Sequence, residues 1–296
     1  MAIENPVTQV FLPFAVVVVM FALGATLTWD DLRRMIARPR ALALGLTAHT
    51  LILPLVAFAL APLFDLAPLV AVGLVVIAAC PANAGANLFT YFARGDTMLS
   101  VCLTAAASLT SVVTMPFFVN AALAVFPDEA TPARLPVVTS ALGLFLIATL
   151  PVLAGMHLRR ARPALAARIE SRMNAFGLTV VVLVVGASVW SERATVGPAL
   201  ARAGGPALLL NVIAVSLAWG AAAAARLDWP QRVAIGLECG LQNFALAAFV
   251  CLTLLGSKPL LLPAIAYGLS MWLSAIAVVL IARRLHTNHA PTARPD

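Results

Sequence analysis

Charge is what this sequence has least of. Only 10% of its 296 residues are Asp, Glu, Lys or Arg, against about a quarter in soluble domains. That deficit excludes an ordinary cytosolic enzyme, a disordered regulator and a nucleic-acid reader, so no nucleic-acid partner is expected. Cysteine is scarce too: Cys80, Cys102, Cys239 and Cys251 all sit in apolar runs, and none pair at CxxC spacing. They read as buried free thiols acting as small hydrophobes. A basic leader is also missing, because Met1 to Pro6 carries only Glu4, whereas a cleaved signal peptide needs a positive n-region. The first apolar run reaches about 20 residues, long enough to span a bilayer.

What the chain has is apolar length. It is 62% hydrophobic, with a mean hydropathy of +1.00. Spanning-length runs fall at about 7–27, 40–63, 67–93, 97–126, 135–157, 173–190, 204–225, 231–255 and 259–282. This predicts an all-α polytopic membrane protein of about nine transmembrane helices, with the lipid bilayer as its first partner. The even ladder of short connectors leaves no room for a second, soluble domain, so residues 1–296 form one membrane domain. From about Arg283 to Asp296 the chain is polar and contains proline, and a mobile cytoplasmic tail is expected over 284–296.

The net charge of +7 and pI of about 10.2 first suggest an acidic partner. Their placement gives another meaning. With connectors numbered alternately, one side holds Arg33, Arg34, Arg38, Arg40, Arg94, Arg159, Arg160, Arg162, Arg168, Arg172, Arg226, Arg232, Arg283, Arg284 and Arg294. The other holds Arg134, Arg193, Arg202 and Lys258, a split of 15 to 4 that accounts for all 19. Cytoplasmic loops carry the excess of Lys and Arg. The N-terminus is therefore expected outside and the C-terminus in the cytoplasm, in a plasma membrane such as a bacterial inner membrane.

There is a faint internal echo. Leu23-Gly24-Ala25-Thr26 precedes Trp29-Asp30, and Val185-Gly186-Ala187-Ser188 precedes Trp190 and Glu192. The two segments end the first and sixth helices, which cross in opposite directions. Inverted repeats of this kind are common in secondary transporters. Helices one to four would match six to nine, with the fifth left over. Chance in an Ala- and Val-rich chain is the alternative.

Of twelve acids, only Glu238 lies well inside a span, and of four histidines only His49 does. A carboxylate at bilayer depth costs at least a few kcal/mol and needs a partner or a wet cavity. Arg232 belongs to the cytoplasmic rim, so a bound cation is a natural counter-charge. A protonated Glu bonding a neighbouring helix is the plainer reading. Around the acid the sequence runs Gly236-Leu237-Glu238-Cys239-Gly240-Leu241-Gln242-Asn243. Glycines bracketing the acid and amides after it signal a break in the eighth helix. Freed carbonyls there can coordinate a hard cation, and the N-terminus of the second half-helix can hold an anion. The third helix carries a second break, Cys80-Pro81-Ala82-Asn83-Ala84-Gly85-Ala86-Asn87. Paired interruptions in corresponding helices point to a transporter's substrate site.

The fourth helix adds Ser100, Thr104, Ser108 and Ser111, spaced to share one face. They suit close packing, a wet cavity, or oxygen ligation of a hard cation such as sodium. Each could also bond back to its own helix. His49, five residues before Pro54, fits an interhelical hydrogen bond, a proton-linked group or a neighbour of a cation.

These residues resemble the bile acid:sodium symporter family over nearly the whole chain. The resemblance is carried by Phe21-Ala22-Leu23-Gly24-Ala25-Thr26-Leu27, Asp30-Asp31-Leu32, Cys80-Pro81 through Asn87, Thr90-Tyr91-Phe92-Ala93-Arg94-Gly95-Asp96 and Glu238-Cys239-Gly240-Leu241-Gln242-Asn243. The resemblance implies an inverted repeat with two broken helices crossing at mid-membrane. It implies a panel domain of about 1–38 and 134–195, and a core domain of about 40–126 and 204–283. It implies import of a small organic anion with sodium by alternating access, with no cofactor beyond sodium as the coupling ion. One sodium site would map onto Asn87, Ser100, Thr104 and Glu238. A second would map onto Glu238 and Gln242, the carbonyls of Cys239 and Leu241, and position 49. Substrate and crossing would involve Asn83, Ala84, Gly85, Ala86, Ser108, Asn243 and Ser274, with Asn243 locking the crossing.

The chain departs from the family at several positions. Position 49 is usually Gln, and His49 is a poor sodium ligand, so proton linkage through Glu238 and His49 is the alternative coupling. Ala84 and Ala86 stand where a Thr and a Ser are usual. Leu273 and Ser274 stand where some relatives place polar substrate contacts. An intramembrane enzyme would need a nucleophile–base pair or a metal triad. Cys239 next to Glu238 is the only conceivable nucleophile site, and helix neighbours do not face each other. A passive channel is disfavoured by the broken-helix pair, and the oligomeric state is not encoded in any of these features.

Overall fold

A computed structural model of the protein describes residues 10–30, 33, 39–127, 137–191 and 193–288. Helices and the turns between them make up these residues, and their one β-type contact is an isolated antiparallel bridge between Ala82 and Gln242. We number the helices in chain order. The first, α1, is Leu12–Thr26, and α2 comprises Pro39–Thr47, a π-helical turn Ala48–Ile52 and Leu53–Leu63. Next come α3 (Pro68–Ala79), α4 (Gly85–Phe92) and α5 (Thr97–Val125). Helix α6 comprises Val137–Leu144, a π-helical turn Phe145–Thr149 and Leu150–Ala161. Beyond it lie α7 (Pro163–Ser191), α8 (Arg193–Ala224) and α9 (Trp229–Gly240). Helix α10 is Phe244–Phe249, continued by the π-helical stretch Val250–Leu254, and α11 is Leu261–Asn288.

Several prolines open helices, although Pro62 and Pro116 lie inside α2 and α5. Pro39, Pro68 and Pro163 open α2, α3 and α7, where the missing N–H would have had no intrahelical partner. Among the described residues five stretches are long and apolar enough to cross a membrane: Pro39–Leu63, Thr97–Val125, Val138–Ala161, Leu200–Ala224 and Leu261–Leu285. Leu12–Thr26, Pro68–Ala79 and Phe244–Leu254 are shorter apolar helices. The last two belong to interrupted helices, which is why they fall short of a full span.

Helix α1 lies against α6 and α7. Its contact with α6 is backbone to backbone: a Cβ on Gly24 would strike the Val152 carbonyl, and one on Gly155 would strike the Phe21 carbonyl. Small residues permit this approach where packing, not hydrophobicity, drives helix association in lipid. Gly186, the counterpart of Gly24 in the internal echo, has open space around it. Helix α8 lies along α11 and α9, and α3 packs on α2, α5 and α11.

The C-terminal boundary differs from expectation. Helix α11 runs on to Asn288, past the start of the expected tail at about 283–284. The apolar run ends near Ala282, but Arg283, Arg284 and Leu285 are good helix formers, so the helix outlasts its membrane-facing pattern. Residues 289–296 lie outside the described residues, as do Asp31, Leu32, Arg34, Arg38, Arg134 and Glu192.

Candidate functional site, a crossing of two broken helices

Among the described residues two helices are interrupted at buried positions. Helix α3 stops at Ala79 and α4 resumes at Gly85, while α9 stops at Gly240 and α10 resumes at Phe244. The two gaps face each other. The Asn83 N–H donates to the Leu241 carbonyl (3.0 Å), and the Asn243 N–H donates to the Pro81 carbonyl (2.8 Å). This reciprocal pair satisfies backbone groups that helices can no longer serve, as a lipid-excluded interior demands. Asn243 also caps its second half-helix, its Oδ1 accepting from the Leu246 N–H (3.0 Å), while Asn83 Oδ1 accepts from the Gly85 N–H (2.7 Å) in a side-chain turn just ahead of α4. Asn83 Nδ2 donates to the Gln242 carbonyl at 2.9 Å, tying one break to the other.

The glycines around the acid have a different task from the one their sequence suggests. Helix α9 continues unbroken through Gly236 to Gly240, so Glu238 sits in its last turn and the break falls at Leu241–Asn243. A Cβ on Gly236 would press on Trp219, and one on Gly240 would meet Val215 Cγ2 at 2.6 Å. The glycines let α8 lie close against α9.

Glu238 is 1% exposed. Its carboxylate accepts from Ser100 Oγ (2.9 Å) and Thr104 Oγ1 (2.5 Å), both on α5. Asn87 of α4 turns Oδ1 to the same place, 2.8 Å from Ser100 Oγ and 3.3 Å from Thr104 Oγ1. Thr90 Oγ1, fully buried, lies 3.3 Å from Ser100 Oγ. Helices α4, α5 and α9 thus converge on one oxygen-lined point.

Protons are short there. Ser100 has one hydroxyl proton but two acceptors within reach, the carboxylate and Asn87 Oδ1. Thr104 has one for the carboxylate, Asn87 Oδ1 and the Ser100 carbonyl. If both serve the carboxylate, Asn87 Oδ1 faces bare lone pairs. Among the described residues Glu238 has no ion-pair partner. Closely set oxygens, one anionic and too few protons, are what a hard cation takes.

In the second predicted set both carbonyls already accept hydrogen bonds within the protein. Leu241's carbonyl is taken by the Asn83 N–H, and Cys239's accepts from Gln242 Nε2 at 3.0 Å. His49 lies in the π-helical turn of α2, with Nε2 3.0 Å from the Cys80 carbonyl. A carbonyl only accepts, so this nitrogen carries the proton, while Nδ1 has no hydrogen-bond partner. His49 caps the end of α3 across the gap. Gln242 Oε1 is buried without a partner.

The remaining predicted residues divide. Ser108 and Ser111 bond back to the Thr104 and Ser108 carbonyls at 2.8 Å each, so only the N-terminal half of the hydroxyl stripe faces Glu238. Ser274 bonds to the Met271 carbonyl of its own helix at 2.9 Å. Ala84 and Gly85 are partly exposed at the start of α4, beside Trp272, and Ala86 is buried. The Tyr91–Asp96 motif is the turn into α5. Arg94 adopts φ 56°, the Gly95 N–H returns to the Thr90 carbonyl, and Asp96 Oδ1 caps the Leu99 N–H.

Thr90, Asn211 and Tyr267 join the site although none belonged to an expected ligand set. Asn211 Nδ2 donates to the Gly240 carbonyl (2.7 Å), as does the Tyr267 hydroxyl (3.1 Å), and both residues are fully buried. An amide amid Leu208-Leu209-Leu210 and Val212-Ile213 was the available signal.

An all-helical apolar chain with paired breaks crossing at a buried carboxylate has the construction of a secondary transporter. Comparison with known proteins agrees. The profile of the sodium bile acid symporter family matches residues 13–197, and the chain belongs to this family. The match ends before the second broken helix, which the pairwise relatives help to cover. The chain is 28% identical over 233 residues to an uncharacterized sodium-dependent transporter of Bacillus subtilis (strain 168), covering 78% of this chain and 70% of that protein. It is 27% identical over 246 residues to a probable chloroplastic sodium/metabolite cotransporter of Arabidopsis thaliana, covering 82% of this chain and 59% of that one. With the ileal sodium/bile acid cotransporter of Mus musculus the identity is 26% over 252 residues, covering 84% and 71%. The chain thus spans only about three-fifths to seven-tenths of these relatives' length.

Proposed function

We propose that the protein is a sodium-coupled symporter that imports a small organic anion, bile-acid-like or another carboxylate, by alternating access. The observation that carries this reading is the proton-poor oxygen cluster of Asn87, Ser100, Thr104 and Glu238. Sodium bound there offsets the buried carboxylate and ties α4, α5 and α9 together. Sodium's charge and the N-terminus of α4, beside partly exposed Asn83, Ala84 and Gly85, favour an anion at the crossing. Ala84 and Ala86 offer it no hydroxyl, which suits a substrate held by its carboxylate and apolar body.

On this reading the chain crosses a plasma membrane nine times, N-terminus outside, as an inverted repeat with α3–α4 and α9–α10 as the matched broken helices. Residues 1–38 and 134–195 form a panel, and 40–126 and 204–283 form a core that moves against it. The names of the relatives, sodium/metabolite and sodium/bile acid cotransporters, support the coupling ion. The test is uptake of a panel of labelled carboxylates into proteoliposomes, with and without an inward sodium gradient. Sodium should also raise the melting temperature of the purified protein, and Glu238→Ala should abolish the rise. An equal rise in the variant would overturn the assignment.

One observation favours a second reading, in which a proton replaces one sodium: His49 faces the crossing with an unpartnered Nδ1. Uptake driven by a pH gradient without sodium supports it. A sodium requirement kept in His49→Gln, with no pH dependence in either form, refutes it.

A further inference from the structure

A hydroxyl that serves a carboxylate points its proton at it, but a hydroxyl that binds a cation points a lone pair. If sodium enters the Glu238 cluster, Ser100 and Thr104 must turn their protons away, and each proton needs another acceptor in a buried site. Asn87 Oδ1 cannot serve, because it and the carboxylate oxygens face the ion. Thr104 has its acceptor built in, the Ser100 carbonyl of its own helix at 3.0 Å. Ser100 stands in the first turn of α5, where the carbonyl four residues back is that of the N-cap Asp96 and already accepts the Ser100 N–H at 3.1 Å. Its hydroxyl reaches out of the helix, to Glu238, to Asn87 and to one further group, Thr90 Oγ1 at 3.3 Å.

Thr90 is fully buried on α4, three residues after Asn87, so the two share a face. Hydroxyls elsewhere in these helices bond back to a carbonyl three or four residues earlier, as those of Thr50, Thr110 and Thr114 do. Thr90 instead sends its hydroxyl across to α5. The turn after α4 holds it there. The Gly95 N–H donates to the Thr90 carbonyl at 2.8 Å, and a Cβ on Gly95 would fall 2.8 Å from Thr90 Cγ2 and 2.9 Å from Val233 Cγ1. The Thr90 methyl thus fills the space that a glycine leaves, and its oxygen faces Ser100. Two hydroxyls can bond in either direction, since each has one proton and two lone pairs.

We infer that Thr90 is a positioning residue that switches Ser100 between carboxylate donor and cation ligand. Without a cation, Ser100 donates to Glu238 and accepts from Thr90. With sodium bound the pair reverses: Ser100 donates to Thr90 Oγ1 and turns a lone pair to the ion. Thr90's own proton then turns back towards the carbonyls of α4. No proton enters or leaves the site, so the switch adds none to the transport stoichiometry. Thr90 acts through Ser100, and the inference rests on the sodium reading of the cluster.

The test is a double-mutant cycle, read as the sodium concentration for half-maximal thermal stabilisation of the purified full-length protein. Thr90→Val keeps the shape and loses the oxygen. It should raise that concentration about tenfold and leave the sodium-free melting temperature close to that of the wild type. Thr90→Ser should restore most of the affinity. In a Ser100→Ala background Thr90→Val should add nothing further, because the group it acts through is gone. Where Thr90→Val does not fold, Thr90→Ala takes its place in the cycle. A wild-type midpoint in the Thr90 variant would overturn the switch and leave the Glu238 cluster standing. A full shift retained in the Ser100→Ala background would overturn it too, since Thr90 would then act without Ser100. Sodium that stabilises no form, wild type included, would instead refute the sodium reading and the switch with it.

Discussion

Thr104 and Ser100 do two jobs for one carboxylate. Without sodium they donate hydrogen bonds to the Glu238 carboxylate, at 2.5 and 2.9 Å. With sodium bound, their lone pairs would turn to the ion and the protons elsewhere. Removing either hydroxyl therefore weakens both states, but the cation-bound state more. Ser100→Ala and Thr104→Ala are each expected to raise the sodium concentration for half-maximal thermal stabilisation by about tenfold, and Thr104→Ser by much less. A titration of melting temperature against sodium checks this, and an unchanged midpoint in both alanine variants would contradict the cluster's role. His49 gives a contrasting case. Its Nε2 serves the Cys80 carbonyl at the end of α3. His49→Leu should cost about 1–3 kcal/mol by orphaning that carbonyl, while His49→Gln keeps an amide donor and most of the stability. Chemical denaturation of the two variants distinguishes a structural bond from a dispensable one.

At the scale of elements, the crossing depends on two short half-helices whose starts are held by asparagine side chains, Asn243 as the N-cap of α10 and Asn83 in the turn before α4. Asn243→Ala should lose about 1 kcal/mol from the missing cap, and Asn83→Ala at least about 1 kcal/mol because its side chain bonds both the Gly85 N–H and the Gln242 carbonyl. The internal echo supplies a sharper contrast. Gly155→Leu must push α1 away from α6, because Gly155 lies on the Phe21 carbonyl, but Gly186 has open space around it. Gly155→Leu is expected to abolish folding or lower the melting temperature severely, and Gly186→Ala to be neutral. Size-exclusion profiles in detergent read both outcomes. These elements also show what the sequence could carry. Pro81 and the Gln242-Asn243 amides marked both breaks within a residue or two, because proline and local polarity act where they stand. The close packing of Gly236 on Trp219, the turning-back of Ser108 and the clamp of Asn211 on Gly240 depend on which helix lies opposite. No local pattern states that. Helix α11 outran its expected end for the opposite reason: arginines close an apolar run without closing a helix.

For the whole molecule, the decisive quantity is parity. The arginine belt makes sense only if the number of crossings between connectors is right, because one span more or fewer exchanges the sides of everything after it. Arg94 and Lys258 test this directly. Arg94 sits in the turn between α4 and α5, and Lys258 in the loop between α10 and α11. On the nine-span reading they face opposite sides of the membrane, Arg94 the cytoplasm and Lys258 the exterior. The native cysteines help, since Cys80, Cys102, Cys239 and Cys251 are all buried, so a new surface thiol can be labelled against a quiet background. Lys258→Cys in intact cells should react with a membrane-impermeant maleimide, and Arg94→Cys should react only after the membrane is opened. The reverse pattern would invert the protein and, with it, the direction in which a sodium gradient could drive uptake. Labelling of both from one side would mean that a broken helix pair turns back instead of crossing, and the inverted repeat would fall with it.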